Sequence, residues 1–288
     1  MQKTFDRRRH PVREDLAARS YEGQVSADRF VDGLVFQVCV DRMALRPQPR
    51  PDLSIDTEAL FGEEITVYEQ TPEGWAWGQL ATDGYVGWFS SDAIEKRQTP
   101  THRVRALRTY RYPAAELKMP PLDLLSMGAA VSVTGEAETR GCRYALLSDG
   151  SAVVAKHLVP LDHMETNWVA TAEEFLGTPY LWGGRSSLGL DCSALVQLAA
   201  QTGGISLPRD SDMLEAEAGD QISFSDLSKL RRGDLLFWKG HVGIISGPNQ
   251  LLHANGHTMT VAYEALDEAV ARIAATEWGA ITKARRLA

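Results

Sequence analysis

Residues 177–196 read GTPYLWGGRSSLGLDCSALV, and the change of pattern at Asp191 and Cys192 decides the fold of the last third of the chain. A glycine-rich loop precedes these two residues. Apolar residues at helical spacing follow them, until Gly203 and Gly204 end the run. The pattern predicts an amphipathic helix with Asp191 as its N-cap and Cys192 in its first turn.

A cysteine in the first turn of a helix is in a special electrostatic position. The positive end of the helix dipole and the free backbone N–H groups both stabilise a thiolate. A thiolate is the form of cysteine that attacks a carbonyl carbon, so Cys192 is a candidate nucleophile. The alternative is that Cys192 is a small, buried apolar residue.

Two histidines follow Cys192 in strand-like segments. His241 opens HVGIISG (241–247), and His253 lies in QLLHANG (250–256). If the turn at GPNQ (247–250) joins two antiparallel strands, the two rings lie side by side on one face. One imidazole can then accept the thiol proton while the other orients it. Zinc binding by these three residues and Asp191 is an alternative, but no closely spaced ligand pair supports it, and no metal or cofactor is expected.

From Asn167 onward, helical segments come first and strand segments follow, which predicts an α+β domain. Four stretches of this region, in this order and spacing, resemble the NlpC-type branch of the papain-like cell-wall cysteine peptidases. They are GTPYLWGGRSSLGLDCSALV (177–196), LPRDSDML (207–214), LRRGDLLFWKGHVGIISG (230–247) and LLHANG (251–256). The resemblance implies a papain-like fold for residues 164–288. Ala194 departs from the pattern, since the family often has glycine there.

The resemblance also assigns roles to individual residues. It implies that Cys192 is the nucleophile, His241 the base and His253 the group that orients the base. Tyr180 matches the family tyrosine that helps to bind the oxyanion, beside the backbone N–H of Cys192. We expect Trp182, two residues further on, to pack in the core.

The segment before this domain has a different pattern of apolar and polar residues. Short alternating apolar runs broken by Gly, Pro and Asp turns predict small antiparallel sheets. The order of strand, Pro-containing loop, short strand, hairpin and closing turn occurs twice, over residues 33–98 and 99–163, which indicates an internal duplication. GYVGWFSSDAI (84–94) resembles bacterial SH3-type barrels. We therefore expect a polar, partly helical lead-in (residues 1–32), two SH3-like barrels and the peptidase domain.

Family members with paired barrels resemble γ-D-glutamyl-L-diamino-acid endopeptidases, which cut peptidoglycan stem peptides that carry a free N-terminal L-Ala. The resemblance implies that Ser193 and Ser211 contact the dipeptide end of the substrate. Asp191 could bind the substrate ammonium, or it could only cap the helix. Tyr85 and an acid of the first barrel close the cleft in relatives. Glu58 and Glu63 both qualify as that acid, and the choice between them stays open.

Composition excludes several classes of function. The chain has 288 residues, a formal net charge of −8 and three widely spaced cysteines. The negative charge disfavours binding to nucleic acid, to anionic membranes and to polyanionic wall polymers. The odd cysteine number disfavours a disulfide framework. The first residues carry charge and lack the apolar core of a signal peptide, so we expect a cytoplasmic protein that acts on released peptides, in peptide recycling. The sequence leaves the oligomeric state open.

Two other functions fit parts of the pattern. An N-acetylmuramoyl-L-alanine amidase or an acyltransferase would use the same Cys-His pair without an amine-binding carboxylate. A non-catalytic cell-wall-binding adaptor would use the barrels and keep an inactive peptidase domain. The intact set of Cys192, His241 and His253 disfavours the adaptor.

Overall fold

The computed structural model describes residues 5–287, so the first four residues of the predicted lead-in lie outside the described part. The chain divides into two compact units, and the junction falls between Asp162 and His163. We describe each unit by itself. In residues 5–287, no helix is both long enough and apolar enough to span a membrane.

The lead-in is an extended segment held on the first barrel, and not the partly helical segment that we predicted. Its regular structure is a short parallel pair of strands and a one-turn 3-10 helix, Arg19–Tyr21. Leu16 is fully buried with Trp77 and Trp88, and the guanidinium of Arg13 lies 4.4 Å from the ring centre of Trp77. Burial against these aromatic rings outweighs the helical propensity of the segment. The strands are β1 (Ala17–Ala18) and β2 (Phe30–Val31).

The first barrel is built from short antiparallel strands, as the alternating pattern predicts. A five-stranded sheet has the order β8-β7-β6-β3-β9, and β4 pairs with β5. The predicted hairpin is present, with Trp77 of β7 opposite Trp88 of β8. The strands are β3 (Leu34–Val38), β4 (Arg42–Leu45), β5 (Thr57–Leu60), β6 (Glu64–Gln70), β7 (Trp75–Leu80), β8 (Val86–Ser90) and β9 (Ile94–Lys96).

The second barrel repeats the strand pairing of the first, and such a repeat is what an internal duplication produces. Its first strand, β10, pairs with β13 and β17, just as β3 pairs with β6 and β9. A meander follows in each barrel, β6-β7-β8 in the first and β14-β15-β16 in the second. The strands are β10 (His102–Val104), β11 (Arg108–Tyr112), β12 (Asp123–Ser126), β13 (Ala130–Val131), β14 (Val133–Thr139), β15 (Cys142–Leu147), β16 (Ala152–Val154) and β17 (Leu158–Pro160).

The second unit has the predicted order of helices before a sheet. Its six-stranded antiparallel sheet has the order β20-β25-β21-β22-β23-β24. The elements are α1 (Trp168–Glu173), β18 (Arg185–Ser186), β19 (Gly189–Leu190), α2 (Cys192–Thr202), α3 (Ser211–Glu217), β20 (Asp220–Gln221), β21 (Asp234–Trp238), β22 (His241–Gly247), β23 (Gln250–Asn255), β24 (Thr260–Ala265), α4 (Leu266–Ala274) and β25 (Lys283–Arg286).

The sheet carries a helix on each face, and this arrangement positions the site. Alternate residues of a strand point to opposite faces. Leu236, Ile245 and Leu251 pack with Leu266 and Ile273 of α4 in one core. Helix α2 packs on β22 and β23, with Leu195, Val196, Leu198 and Ala199 all buried. The N-terminus of α2 is thereby held next to the strands that carry the two histidines.

Candidate active site

The helix that carries Cys192 starts where the sequence predicts. Asp191 is the N-cap, with extended backbone, and its Oδ1 accepts the N–H of Ala194 at 2.9 Å. The loop before it is shaped by Gly183, whose φ of 73° suits glycine and directs its N–H to Oδ2 of Asp191 at 3.1 Å. The loop and the cap therefore fix the first turn of α2, and Cys192 is the first residue of that turn.

Asp191 also forms a buried ion pair, which the sequence did not indicate. Its Oδ2 lies 2.7 Å from Nη2 of Arg209, and its Oδ1 accepts from Nη1 of Arg209 and from the hydroxyl of Ser193. The Arg209 side chain is fully buried. Of the two roles left open for Asp191, the structure has the capping role, and its oxygens are already occupied. Amine binding by Asp191, and substrate contact by Ser193, stay predictions.

Burial overrides the expected acidity of the thiol. Removal from water raises the pKa of Cys192 to about 12, and the negative charge of Asp191 also raises it. The backbone N–H groups of Val242 and Ser193 and the charge of Arg209 act in the opposite direction and are outweighed. The expectation that the start of the helix makes this thiol acidic was therefore wrong. The sulfur is a neutral thiol that needs a base.

The two predicted histidines are neighbours. Strands β22 and β23 are antiparallel around the turn at GPNQ, and Nε2 of His241 lies 3.0 Å from Nδ1 of His253. His253 is 1% exposed. Burial lowers the pKa of His241 to about 3 and that of His253 to about 4. Both rings are thus neutral at pH 7, which is the state a base requires.

The contact between the Cys192 thiol and the strand that carries His241 is made by a backbone group. The N–H of Val242, the residue after His241, points at the sulfur of Cys192. Within residues 5–287, no hydrogen bond joins the sulfur to a ring nitrogen of His241, and Nδ1 of His241 has no partner. Hydrogen bonds between nucleophile and base often form only when substrate is bound.

A carboxylate and a guanidinium extend the histidine pair, and sequence reasoning missed both. Oε2 of Glu264, on β24, lies 3.1 Å from Nε2 of His253. Nε and Nη2 of Arg272, on α4, donate to the two oxygens of Glu264 at 2.8 and 2.6 Å. The only signal in the sequence is the strand TVAYEAL, whose alternation places Glu264 on the same face as Ala262, and Ala262 pairs with His253.

Tyr180 and His241 line one cavity of about 490 Å³. Burial raises the pKa of Tyr180, and negative charge on Cys192 and Asp191 raises it further, so the phenol stays a proton donor. Trp182 and Trp278 form apolar parts of the wall. The expectation that Trp182 packs in the core was wrong, because the side chain is 60% exposed beside this cavity.

The remaining predicted residues belong to α3 and to the first barrel. Ser211 is half-buried at the first position of α3. Within the first barrel, Glu63 accepts from the N–H of Leu60 and the hydroxyl of Thr82, and Glu58 lies 3.3 Å from Arg42. Tyr85 is 3% exposed in the core of that barrel. The roles predicted for these four residues toward a substrate stay predictions.

The fold and the site together define a class of protein. A thiol on the first turn of a helix, a pair of hydrogen-bonded histidines on the adjoining sheet and a phenol beside them form the site of a papain-like cysteine peptidase. Among the residues that the structure describes, no three His, Cys, Asp or Glu side chains are grouped to hold a metal ion.

Comparisons with known proteins agree with this class. Residues 177–277 match the NlpC/P60 family, and residues 45–94 match the bacterial dipeptidyl-peptidase SH3 domain. The γ-D-glutamyl-L-lysine dipeptidyl-peptidase of Bacillus subtilis (strain 168) is 30% identical over 230 residues, which are 70% of this chain and 73% of that relative. Dipeptidyl-peptidase 6 of Lysinibacillus sphaericus is 36% identical over 115 residues, 40% of this chain and 41% of that relative.

A solved structure of an NlpC/P60 family protein from Bacillus cereus has the same fold. Its TM-score is 0.71 at 20% identity, and the match covers 88% of this chain and 99% of that one. The chain belongs to the NlpC/P60 family of cysteine peptidases, and it has a dipeptidyl-peptidase-type SH3 domain ahead of the peptidase domain.

Proposed function

We propose that the protein is an endopeptidase that hydrolyses the bond between γ-D-Glu and the diamino acid of peptidoglycan stem peptides with a free N-terminal L-Ala. The observation that carries the proposal is the hydrogen-bonded pair of His241 and His253 beside the helix that begins at Cys192. The substrate is inferred from relatives named γ-D-glutamyl-L-lysine dipeptidyl-peptidase.

The reaction follows from the protonation states of the site. His241 takes the proton of Cys192 at Nδ1 as the sulfur attacks the γ-carbonyl carbon of D-Glu. The developing oxyanion receives hydrogen bonds from the backbone N–H of Cys192 and from the phenol of Tyr180. The C–N bond breaks, and the imidazolium gives its proton to the leaving amine. Water, deprotonated by His241, then attacks the thioester, and a carboxylate and the free thiol are formed.

The leaving diamino acid occupies the cavity beside His241, because the ring that protonates the leaving amine is part of its wall. Arg272 uses Nε and Nη2 to bind Glu264, and its Nη1 has no partner in residues 5–287. His257 is a second basic residue of the wall, and none of the described lining residues is acidic. This lining suits a diamino acid that carries a carboxylate on its side chain better than lysine.

We place this activity on free peptides in the cytoplasm, as part of peptide recycling. The formal charge of −8 supports this, because a negative protein is repelled by the polyanionic polymers of an intact wall. A requirement for a free amine also fits small released peptides, since it excludes stem peptides that are still attached to glycan through L-Ala.

The test is hydrolysis of L-Ala-γ-D-Glu-diaminopimelate and of its N-acetylated form, followed by mass spectrometry. We expect L-Ala-D-Glu and free diaminopimelate from the first peptide, and at least tenfold slower cleavage of the second, because an ion pair with the ammonium contributes more than about 1.4 kcal/mol in a buried site. Equal rates on both peptides would exclude the free-amine requirement.

A third substrate, an N-acetylmuramoyl-L-Ala peptide, separates the alternatives, which single variants do not. An amidase would release N-acetylmuramic acid from it and leave the γ-D-Glu bond intact, whereas an adaptor would cut none of the substrates. Replacement of Asp191 is a poor discriminator, since this residue caps α2 and pairs with Arg209. Alkylation of the thiol is equally ambiguous, because Cys192 is only 6% exposed.

A further inference from the structure

The histidine pair is the start of a longer row of hydrogen bonds. His241 contacts His253 (Nε2 to Nδ1, 3.0 Å), His253 contacts Glu264 (Nε2 to Oε2, 3.1 Å), and Arg272 donates to both oxygens of Glu264. We propose that Glu264 is a positioning residue, which sets the proton positions on both histidines and so makes Nδ1 of His241 the basic atom. The proposal rests on the proposed use of His241 as the base.

The first step concerns Glu264 and His253. Hydrogen bonds from Arg272 hold the pKa of Glu264 below its usual value, so the group is a carboxylate that can only accept. Nε2 of His253 must therefore carry a proton and donate it. Since the ring of His253 is neutral, its Nδ1 is then unprotonated and accepts.

The second step determines which nitrogen of His241 carries the proton. Because Nδ1 of His253 accepts, Nε2 of His241 must donate, and so it carries the proton of that neutral ring. The remaining nitrogen, Nδ1 of His241, has a free lone pair and no partner among residues 5–287. Without an obligate acceptor at position 264, both rings could hold the opposite tautomer, in which Nδ1 of His241 carries a proton and cannot act as a base.

The third step concerns the stiffness of the arrangement. Glu264 and His253 lie on paired strands, two residue pairs apart (Leu251–Glu264 and His253–Ala262), and so on the same face of the sheet. Arg272 lies on the helix that follows β24 and binds Glu264 through two parallel N–H bonds, a geometry that fixes the carboxylate plane. The Glu264 side chain is 17% exposed, so water competes weakly for its oxygens.

The charged groups near the two rings have opposite effects on the pKa values of His241 and His253. The negative charge of Glu264 raises the pKa of both histidines, and the positive charge of Arg272 lowers it. The charge of His257 also lowers the pKa of His253. Removal of Glu264 thus leaves the positive charge of Arg272 unopposed near the pair, so protonation of either ring becomes less favourable and the base becomes weaker.

The experiment compares Glu264→Ala and Glu264→Gln with Glu173→Ala in the full-length protein. Glu173 is a matched control, since it also binds an arginine through both oxygens (Arg232, 2.7 and 2.7 Å), at 25% side-chain exposure, and its contacts in residues 5–287 include neither His241 nor His253. The measurements are kcat and KM for the peptide, the pH dependence of kcat/KM, and the tautomers of His241 and His253 from ¹⁵N NMR of histidine-labelled protein.

We expect wild-type His241 and His253 both to be protonated at Nε2. Glu264→Ala should lower kcat by about 10–100-fold with KM within twofold, as for other residues that orient a reacting group from behind it. Glu264→Gln, whose amide oxygen can still accept from His253, should recover part of this loss. Glu173→Ala should leave kcat unchanged.

Three results would overturn the proposal: a wild-type His253 protonated at Nδ1, an unchanged kcat in Glu264→Ala, or an equal loss in Glu173→Ala. The NMR measurement on the wild-type protein needs no variant, so a variant that does not fold leaves the proposal testable. It also needs no substrate. A protein with the expected tautomers that does not cut the peptide would therefore contradict the proposed function alone.

Discussion

Arg209 and Asp191 form a buried ion pair in which Nη2 lies 2.7 Å from Oδ2 and Nη1 lies 2.9 Å from Oδ1. The same carboxylate caps the helix that begins at Cys192. The pair therefore joins the loop at residue 209 to the first turn of the nucleophile helix, and the position of the sulfur depends on a residue that does no chemistry itself.

Arg209→Met should strongly destabilise the second unit, because it leaves the carboxylate of Asp191 buried without its counter-charge. We expect a loss of about 3–5 kcal/mol in the free energy of unfolding, measured by urea denaturation. Arg232→Met is the control, since it breaks the exposed pair with Glu173 and should cost at most about 1 kcal/mol. Equal losses in the two variants would mean that burial does not determine the strength of the Arg209 pair.

Tyr180→Phe should lower kcat by about 10²–10³-fold with little change in KM or in melting temperature, because it removes one donor to the oxyanion and no packing. The phenol has no hydrogen-bond partner among the described residues, so its loss leaves no buried group unpaired. Steady-state kinetics on the peptide would measure the effect. A loss confined to KM would instead assign Tyr180 to substrate binding.

The stability of the second unit should fall in acid. The pKa values of His241 and His253 are about 3 and 4 in the folded protein, below the ordinary value of 6.5. Between these values the unfolded chain binds more protons, so stability is complete above pH 6.5 and decreases as the pH falls toward 4 and 3. Between pH 6.5 and its pKa in the folded protein, each histidine lowers the free energy of unfolding by at most about 1.4 kcal/mol for each pH unit of acidification.

Thermal unfolding between pH 7 and pH 4 checks this expectation. The melting temperature of His253→Asn should decrease less steeply with acid than that of the wild-type protein. His257→Asn, at an exposed position, should follow the wild type. Parallel curves for all three proteins would show that the buried rings do not govern the acid response.

The cavity beside His241 should favour a leaving residue with an extra carboxylate. We expect kcat/KM for L-Ala-γ-D-Glu-meso-diaminopimelate to exceed that for the L-lysine peptide by about tenfold, the equivalent of about 1.4 kcal/mol from one partly exposed ion pair with Nη1 of Arg272. Arg272→Lys should reduce the ratio of the two kcat/KM values. A ratio below one in the wild-type protein would contradict this assignment of the cavity.

Local patterns in the sequence were sufficient for much of the site. The start of α2 at Asp191 follows from capping chemistry, and the pairing of His241 with His253 follows from the position of one turn. The doubled barrel follows from a repeated order of strands and turns. In each case the residues that determine the structure are close together in the chain.

The features that sequence reasoning missed depend on contacts between distant residues. Glu264 reaches His253 only through the register of β23 and β24, and Arg209 reaches Asp191 from a loop. The pKa of Cys192 was wrongly expected to be low, because a helix terminus is visible in a sequence and the depth of burial is not. The extended lead-in was missed for the same reason, since it depends on the contact of Leu16 with Trp77.

The neutral, buried state of the Cys192 thiol also bears on chemical durability. Peroxide and molecular oxygen damage cysteine through its thiolate, and sulfenic acid formation is slow for a sulfur that keeps its proton and is only 6% exposed. Cys192 should thus remain reduced in aerated solution without added reductant, and its sulfur becomes vulnerable only when a bound peptide draws its proton away.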